Sequence, residues 1–360
     1  MIDFNNFSRE YFFLRSEIHE AINDVLSSGR FILDKQVEIF EKKFASFLNA
    51  KYCIAVASGT DAITISLIAN GIGRGDEVIT SSLTAYPTII GILNSGAKPI
   101  LADINLDDML LNTKKIEELI TSKTKAIIPV HLYGQACNMD EILRISVKYN
   151  LNVIEDCAQS TGALFKENMT GTIGDCGAFS FYPTKNLGCY GDGGAIITNN
   201  DHTYSQAKLL RNYGQESNYK YNINGINSRL DEIQAAILLK KLKYLDTWNL
   251  RRNKIAEMYM NDITNLTFLS KNENSTHSYH LFVARSDKRD SLIKFLKNND
   301  IQALIHYPIS INEQTAFKKY KSKKIRNAKI ASKEIISLPI NPWLRDNEVK
   351  FIIDTINNFK

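Results

Sequence analysis

The sequence predicts an α/β fold, with a mostly parallel seven-stranded sheet between helices and a smaller α+β unit at the C-terminal end. Three observations carry that expectation. Short runs rich in β-branched and apolar residues alternate with stretches of helical periodicity as far as Thr198. Many of these runs are apolar almost without a break, as expected of strands covered by helices on both faces. From about Trp248 the alternation changes to a shorter set of helices and strands.

Two helices open the chain. Leu14, Ile18, Ile22 and Leu26 recur at helical spacing, and so do Val37, Phe40, Phe44 and Phe47. Strands are expected at 52–57, 77–81, 98–104, 126–132, 152–156, 178–182 and 195–198. Leu230, Ile233, Ile237, Leu242 and Leu245 then read as one long helix leading out of this unit. Beyond it the pattern gives a helix at 251–260, a strand at 279–284, a helix at 291–298, a strand at 302–306 and a final helix. The expected division is a large domain at 1–247 and a small one at 248–360, with the polar stretch 271–278 as a surface loop.

A chain of 360 residues suits one large domain with a smaller companion. Its 44% hydrophobic and 23% charged content is that of an ordinary globular protein. A net charge of +5 is too mild and too dispersed to suggest nucleic acid, and it is compatible with an anionic small substrate. The first residues carry charges where a signal peptide needs an apolar stretch, and no apolar run approaches the roughly 18 residues that span a bilayer. Cys53, Cys137, Cys157, Cys176 and Cys189 are odd in number and widely spaced, which favours reduced thiols over a metal site or disulfides. The expectation is a cytoplasmic protein with no metal and no membrane contact.

Lys185 lies in Phe179-Ser-Phe-Tyr-Pro-Thr-Lys-Asn-Leu-Gly188, after an aromatic strand and before Gly188, Gly191, Gly193 and Gly194. Asp156 ends the buried run before it. Pyridoxal phosphate chemistry needs this pair: an amine to form a Schiff base, and a carboxylate to keep the pyridine nitrogen protonated. Carboxyl ends of strands are where ligand sites lie in open α/β sheets. Glu155, beside Asp156, has a helix-capping alternative. Ser58-Gly59-Thr60-Asp61 sits between a strand and a helix, where free N–H groups bind phosphate, although a Ser cap is the default reading of such a motif. Gly71–Gly75 follows a helix and lacks the dinucleotide spacing, and Gly191–Gly194 lacks the Lys-Ser/Thr of a Walker loop.

Together with Asn227-Ser-Arg-Leu-Asp-Glu-Ile-Gln-Ala-Ala236, these segments resemble the sugar aminotransferases of the DegT/DnrJ/EryC1/StrS family over nearly the whole chain. The resemblance implies a fold-type I architecture, with the N-terminal helices packing on the small domain, and pyridoxal 5′-phosphate as cofactor. It assigns the backbone of Gly59 and Thr60 and the hydroxyl of Ser180 to the cofactor phosphate. It sets Asp156 against the pyridine nitrogen, Gln159 against the ring or its phenolic oxygen, and Lys185 as the catalytic amine. Asn227 is implied to reach the phosphate of the neighbouring subunit, making a homodimer with shared sites; a helix cap is its other reading.

Tyr86 is expected to stack on the ring, although members of the family commonly carry the aromatic one position earlier, where this chain has Ala85; core packing is the alternative. His306 and Tyr307 resemble the loop that approaches the sugar, and Tyr182 and Tyr133 are further pocket candidates. Thr84–Thr88 and Lys220-Tyr221 look more like the members acting at C-3. The implied reaction moves an amino group from L-glutamate to a dTDP-linked 3-keto-6-deoxyhexose, giving a 3-amino-3,6-dideoxyhexose nucleotide for lipopolysaccharide, O-antigen or a natural product. A C-4 aminotransferase acting on a 4-keto-6-deoxyhexose is the alternative. A sugar dehydratase is another, although those relatives carry histidine in place of the lysine. A cofactor-bound regulator is the remaining one.

Overall fold

The computed structural model describes residues 1–360 apart from Lys323. Seven strands form the main sheet: β1 (Tyr52–Val56), β2 (Glu77–Ser81), β3 (Lys98–Ala102), β4 (Thr124–Ile128), β5 (Asn152–Asp156), β8 (Cys176–Ser180) and β9 (Gly194–Thr198). Between β5 and β8 comes a short ribbon, β6 (Leu164–Phe165) with β7 (Asn168–Met169). The spatial order is β1-β9-β8-β5-β4-β2-β3. Neighbours from β8 to β3 run parallel, and β9 is antiparallel to both β1 and β8. All seven have ends within four residues of the runs expected, and β2 and β5 match them residue for residue. β4 stops at Ile128 because Pro129 follows, lacking the N–H that a ladder needs, and the chain turns out of the sheet through Tyr133 at φ 64°.

Of the helices α1 (Phe7–Ser28), α2 (Lys35–Phe47), α3 (Gly59–Ala69), α4 (Tyr86–Asn94), α5 (Met139–Tyr149) and α6 (Asp201–Leu210), α2 to α6 pack against the sheet. α1 buries Leu14, Ile18, Ala21 and Val25, so the apolar stripe that fixes its orientation is real, while Leu26 stays exposed. α3 is apolar nearly all round because it is sandwiched against β8, β9 and α4, and it buries Ala62, Ile63, Ile65 and Leu67.

After a second ribbon, β10 (Gln215–Ser217) with β11 (Lys220–Tyr221), the expected long helix divides. α7 (Glu232–Leu242) ends at Lys243-Tyr244, and α8 (Leu245–Asp262) begins at once. Leu242 and Leu245 keep helical spacing across the break, so periodicity alone reads through it. α8, α9 (Arg289–Asn298) and α11 (Asp346–Asn357) pack around an antiparallel sheet of β12 (Thr267–Phe268), β13 (Phe282–Arg285) and β14 (Ile335–Leu338), the last following α10 (Asn327–Glu334).

Two expectations fail here. Residues 302–306 are not a strand: Leu304 only bridges Ser337, and β14 takes the place beside β13. The stretch 271–278 has loop backbone but is docked, with Ser275 and Ser278 buried and the Ser278 N–H donating to Gly134 O at 2.9 Å. Such partners are what allow polar backbone to be buried. The main-sheet cluster containing Ile79, Ile127 and Met139 also takes in Leu281, Val283 and Ile335, so one apolar core continues from the first sheet into the second. At the N-terminal end Ile2 bridges Ile301, and Arg9 pairs with Glu348 at 2.6 Å. All five cysteines are buried free thiols, and among the described residues no helix is long and apolar enough to cross a membrane.

Candidate active site

Sheet register brings the site together. Val56 at the end of β1 and Ser180 at the end of β8 both pair with Gly194 of β9. The chain leaving β1 therefore enters α3 directly against Ser180. Gly59 is needed at that approach: a Cβ there would stand 2.7 Å from the Cβ of Ser180. The side chain of Ser58 caps α3 by accepting from the Asp61 N–H at 3.1 Å. Among the described residues the N–H groups of Gly59 and Thr60 carry no hydrogen bond, which leaves two donors at a helix N-terminus for an anion. The Ser180 hydroxyl accepts weakly from the Tyr182 N–H at 3.3 Å, so its own proton is available.

These groups line a cavity of about 290 Å³ together with Asp156, Gln159, Tyr182 and Lys185. Lys185 stands on a turn closed by its N–H donating to Tyr182 O at 2.8 Å. The next residue, Asn186, anchors that turn by donating to Asn249 Oδ1 and Ser278 O, both at 2.8 Å. Gly188 has no room for a side chain, since a Cβ would meet the carbonyl of Pro183 at 2.5 Å. Lys185 reaches solvent only in part, and desolvation is the first cause that brings its ammonium pKa down to about 8, against the pull of Asp156. A lysine so placed is a proton carrier near neutral pH.

Asp156 is 5% exposed. Its Oδ2 accepts from the Thr88 hydroxyl at 2.7 Å and its Oδ1 from the Ala158 N–H at 3.1 Å. Burial pushes its pKa up, and those two hydrogen bonds and the Lys185 charge push back. Gln159 is gripped at both ends of its amide: Oε1 accepts from the Tyr133 N–H at 2.7 Å, and Nε2 donates to the Tyr307 hydroxyl at 2.9 Å. The Tyr133 hydroxyl in turn donates to His306 O at 2.5 Å.

Glu155 has no place in the cavity and no capping role. Its carboxylate is fully buried and accepts from the N–H groups of Gly171, Ile173 and Gly174. His131 Nε2 lies 2.8 Å away, and His131 Nδ1 accepts from the Cys137 N–H, so the ring carries its proton on Nε2 and donates to Glu155. His131, Glu155 and Cys157 are close enough for a metal, but these hydrogen bonds already occupy the histidine and the carboxylate.

Several other expected site residues stand elsewhere. Tyr86 does not line the cavity: it begins α4, is 41% exposed, and its hydroxyl accepts from Gln314 at 2.8 Å. Ala85, Pro87 and Thr88 form that wall instead. The reason is local, since Ala85 is the N-cap of α4 and the turn into the helix carries the Tyr86 ring out to the rim, 6.4 Å from the Tyr307 ring. His306 sits behind Tyr307, its Nδ1 2.9 Å from Ser337 Oγ, and burial lowers its pKa to about 4. Tyr133 is buried and only its backbone N–H reaches Gln159. Asn227 neither opens nor caps α7, whose N-cap is Asp231. It is exposed and bridges Asn212. Sequence reasoning passed over Thr88 and the grip of Tyr307 on Gln159, which depend on contacts distant in the chain.

The donor set fits pyridoxal 5′-phosphate. It has two free N–H groups and a hydroxyl at a helix N-terminus, a buried carboxylate, and a lysine with depressed basicity, all on one cavity.

Residues 13–357 match the DegT/DnrJ/EryC1/StrS aminotransferase family. Over 347 residues the chain is 44% identical to the dTDP-3-amino-3,6-dideoxy-alpha-D-galactopyranose transaminase of Aneurinibacillus thermoaerophilus, covering 96% of each. Its fold is similar to the crystal structure of S. venezuelae DesV in complex with a ketimine intermediate. The TM-score is 0.97 at 35% identity, covering 99% of this chain and 97% of that one. It is also similar to NtdA from Bacillus subtilis with bound cofactor PMP, at a TM-score of 0.89 and 32% identity, covering 95% of this chain and 80% of that one.

Proposed function

The chain belongs to the DegT/DnrJ/EryC1/StrS aminotransferase family, and on that premise we propose that it aminates C-3 of a dTDP-linked 3-keto-6-deoxyhexose with L-glutamate as donor. It is an aminotransferase, and its cofactor is pyridoxal 5′-phosphate. The observation that carries the substrate is the 44% identity, across 96% of both chains, to a relative named for a 3-amino-3,6-dideoxy sugar linked to dTDP. The product on this reading is a 3-amino-3,6-dideoxyhexose nucleotide, a building block for a surface polysaccharide such as O-antigen or for a natural product.

When bound, the cofactor supplies an electron sink for the donor's α-carbon. Gly59 and Thr60 would hold its phosphate through their N–H groups, helped by the Ser180 hydroxyl. Asp156 would meet the pyridine nitrogen as a carboxylate, and Gln159, held by Tyr133 and Tyr307, would orient the ring. With the cofactor bound, Lys185 would carry the proton between the donor's α-carbon and the cofactor's C4′ carbon, and with the ketosugar the same amine would work in the opposite order. An ammonium pKa of about 8 suits both directions near neutral pH. Tyr182, exposed at the mouth of the cavity, is the surface offered to the sugar, and the 305–308 loop, joined to Gln159 through Tyr307, would approach it. Asn227, exposed on this chain, completes the phosphate site of a second copy in a homodimer.

The experiment is product analysis. Protein loaded with pyridoxal 5′-phosphate is supplied with L-glutamate and the dTDP-linked 3-keto and 4-keto sugars in separate reactions, and the products are read by NMR. A new C–N bond at C-3 supports the proposal. Amination only at C-4, or loss of a hydroxyl without nitrogen transfer, replaces it.

A further inference from the structure

Behind Asp156 lies a chain of two hydroxyls that no part of the mechanism above uses. Thr88 Oγ1 is 2.7 Å from Asp156 Oδ2, and Thr84 Oγ1 is 2.8 Å from Thr88 Oγ1. Both threonines are buried, at 1% and 2% exposure. Thr84 follows β2, and Thr88 lies in the first turn of α4, on the segment that forms the cavity wall with Ala85 and Pro87.

The direction of the chain follows from counting protons. A threonine hydroxyl has one proton and two lone pairs, and an ionised carboxylate can only accept. If Asp156 is ionised, Thr88 gives its proton to Oδ2, and Thr84 must be the donor to Thr88. Every buried hydroxyl proton then has an acceptor. If Asp156 were protonated and the chain ran the other way, Thr88 would donate to Thr84. The Thr84 proton would then have no acceptor among the described residues, a costly state for a buried group. The pair therefore keeps Oδ2 an unprotonated acceptor. It also fixes the carboxylate plane, because Oδ1 is held at the same time by the Ala158 N–H.

We propose that Thr88, backed by Thr84, is a positioning residue that keeps Asp156 ionised and oriented toward the cofactor's pyridine nitrogen. The proposal rests on the reading of Asp156 as the carboxylate beside that nitrogen. The other ionisable groups around Asp156 are Lys185, His131, Tyr307 and Cys137 from neighbouring segments, and Glu155 and Cys157 beside it in the chain. His131 and Glu155 are already committed to one another, and Lys185 is the mobile amine, so neither supplies a fixed hydrogen bond to Oδ2. Thr88 does. The signal was present in Thr84-Ala-Tyr-Pro-Thr88, where the turn into a helix stacks the two hydroxyls four positions apart.

The test records the visible absorption of the protein loaded with pyridoxal 5′-phosphate against pH, with the cofactor dissociation constant, for wild type, Thr88→Val, Thr88→Ser and Thr84→Val. Thr88→Val keeps the shape and removes the donor. It is expected to move the midpoint of the spectral transition by about one pH unit and to weaken cofactor binding about tenfold. Thr88→Ser restores both, and Thr84→Val gives a smaller shift in the same direction. A folded Thr88→Val with the wild-type midpoint overturns the proposal. If Thr88→Val does not fold, a Thr84→Val midpoint equal to wild type overturns it instead. Wild-type protein that takes up no pyridoxal 5′-phosphate would sink the functional reading itself, and this proposal with it.

Discussion

His131 Nε2 lies 2.8 Å from Glu155 Oε2 with both side chains fully buried, next to Asp156 and apart from the cavity. The pair shows how two adjacent acids on one strand take separate roles. Successive side chains of β5 point to opposite faces, so Glu155 turns into the loop at 171–174 while Asp156 turns into the site. Replacing Glu155 with alanine leaves three backbone N–H groups and a histidine unpaired in the interior. The expected loss of stability is about 3 kcal/mol or more, read as a lower urea midpoint. Unchanged stability would mean that water can replace the carboxylate there.

Gly59→Ala tests the phosphate cradle. The new Cβ must displace Ser180 or α3 by several tenths of an ångström, because 2.7 Å is closer than carbons approach. Cofactor affinity should fall about tenfold or more, measured by dialysis against pyridoxal 5′-phosphate. Thr60→Ala, which keeps the backbone N–H, should lose much less.

The basicity of Lys185 makes stability depend on pH in a stated direction. Its pKa is about 8 in the fold and 10.5 as an ordinary lysine. Between those values the unfolded apoprotein binds the proton and the folded one does not, so stability rises with pH from about 8 and this gain is absent below. Lys185→Met should flatten that rise, by at most about 3 kcal/mol, reduced by the water that reaches the amine through the cavity. Denaturant titrations of both apoproteins across the window give the difference.

Tyr133 joins Gln159 to the 305–308 loop, with its N–H on one and its hydroxyl on the carbonyl of His306. Tyr133→Phe removes only the second bond. The expected outcome is a KM for the ketosugar nucleotide raised about five- to tenfold, with cofactor affinity nearly unchanged. A loss of cofactor instead would assign Tyr133 to the other side of the network.

Much of this was legible in the residues. Buried strands covered on both faces are apolar almost without a break, so runs such as 52–57 and 195–198 identify themselves. Lys185 and Asp156 stand where the sheet puts functional groups. What escaped depends on long-range pairing. Ile335–Leu338 is recognisable as a strand only through its partner β13, and 302–306 carries the apolar run Ala303-Leu-Ile305 of a strand yet forms only the bridge at Leu304. The split between α7 and α8 preserves apolar spacing and is invisible to periodicity. Tyr86 was misplaced because stacking depends on the angle at which a helix leaves its turn, and the grip of Tyr307 on Gln159 joins residues 148 apart in sequence.

The most direct measurement compares wild type and Lys185→Ala, each incubated with pyridoxal 5′-phosphate and then with L-glutamate, by visible absorption and by 2-oxoglutarate release. Wild type should hold a yellow band that bleaches as 2-oxoglutarate appears and returns when a ketosugar nucleotide is added. Lys185→Ala should release no 2-oxoglutarate above background. Near-native release from Lys185→Ala, or a wild-type protein that binds no cofactor, would contradict the account.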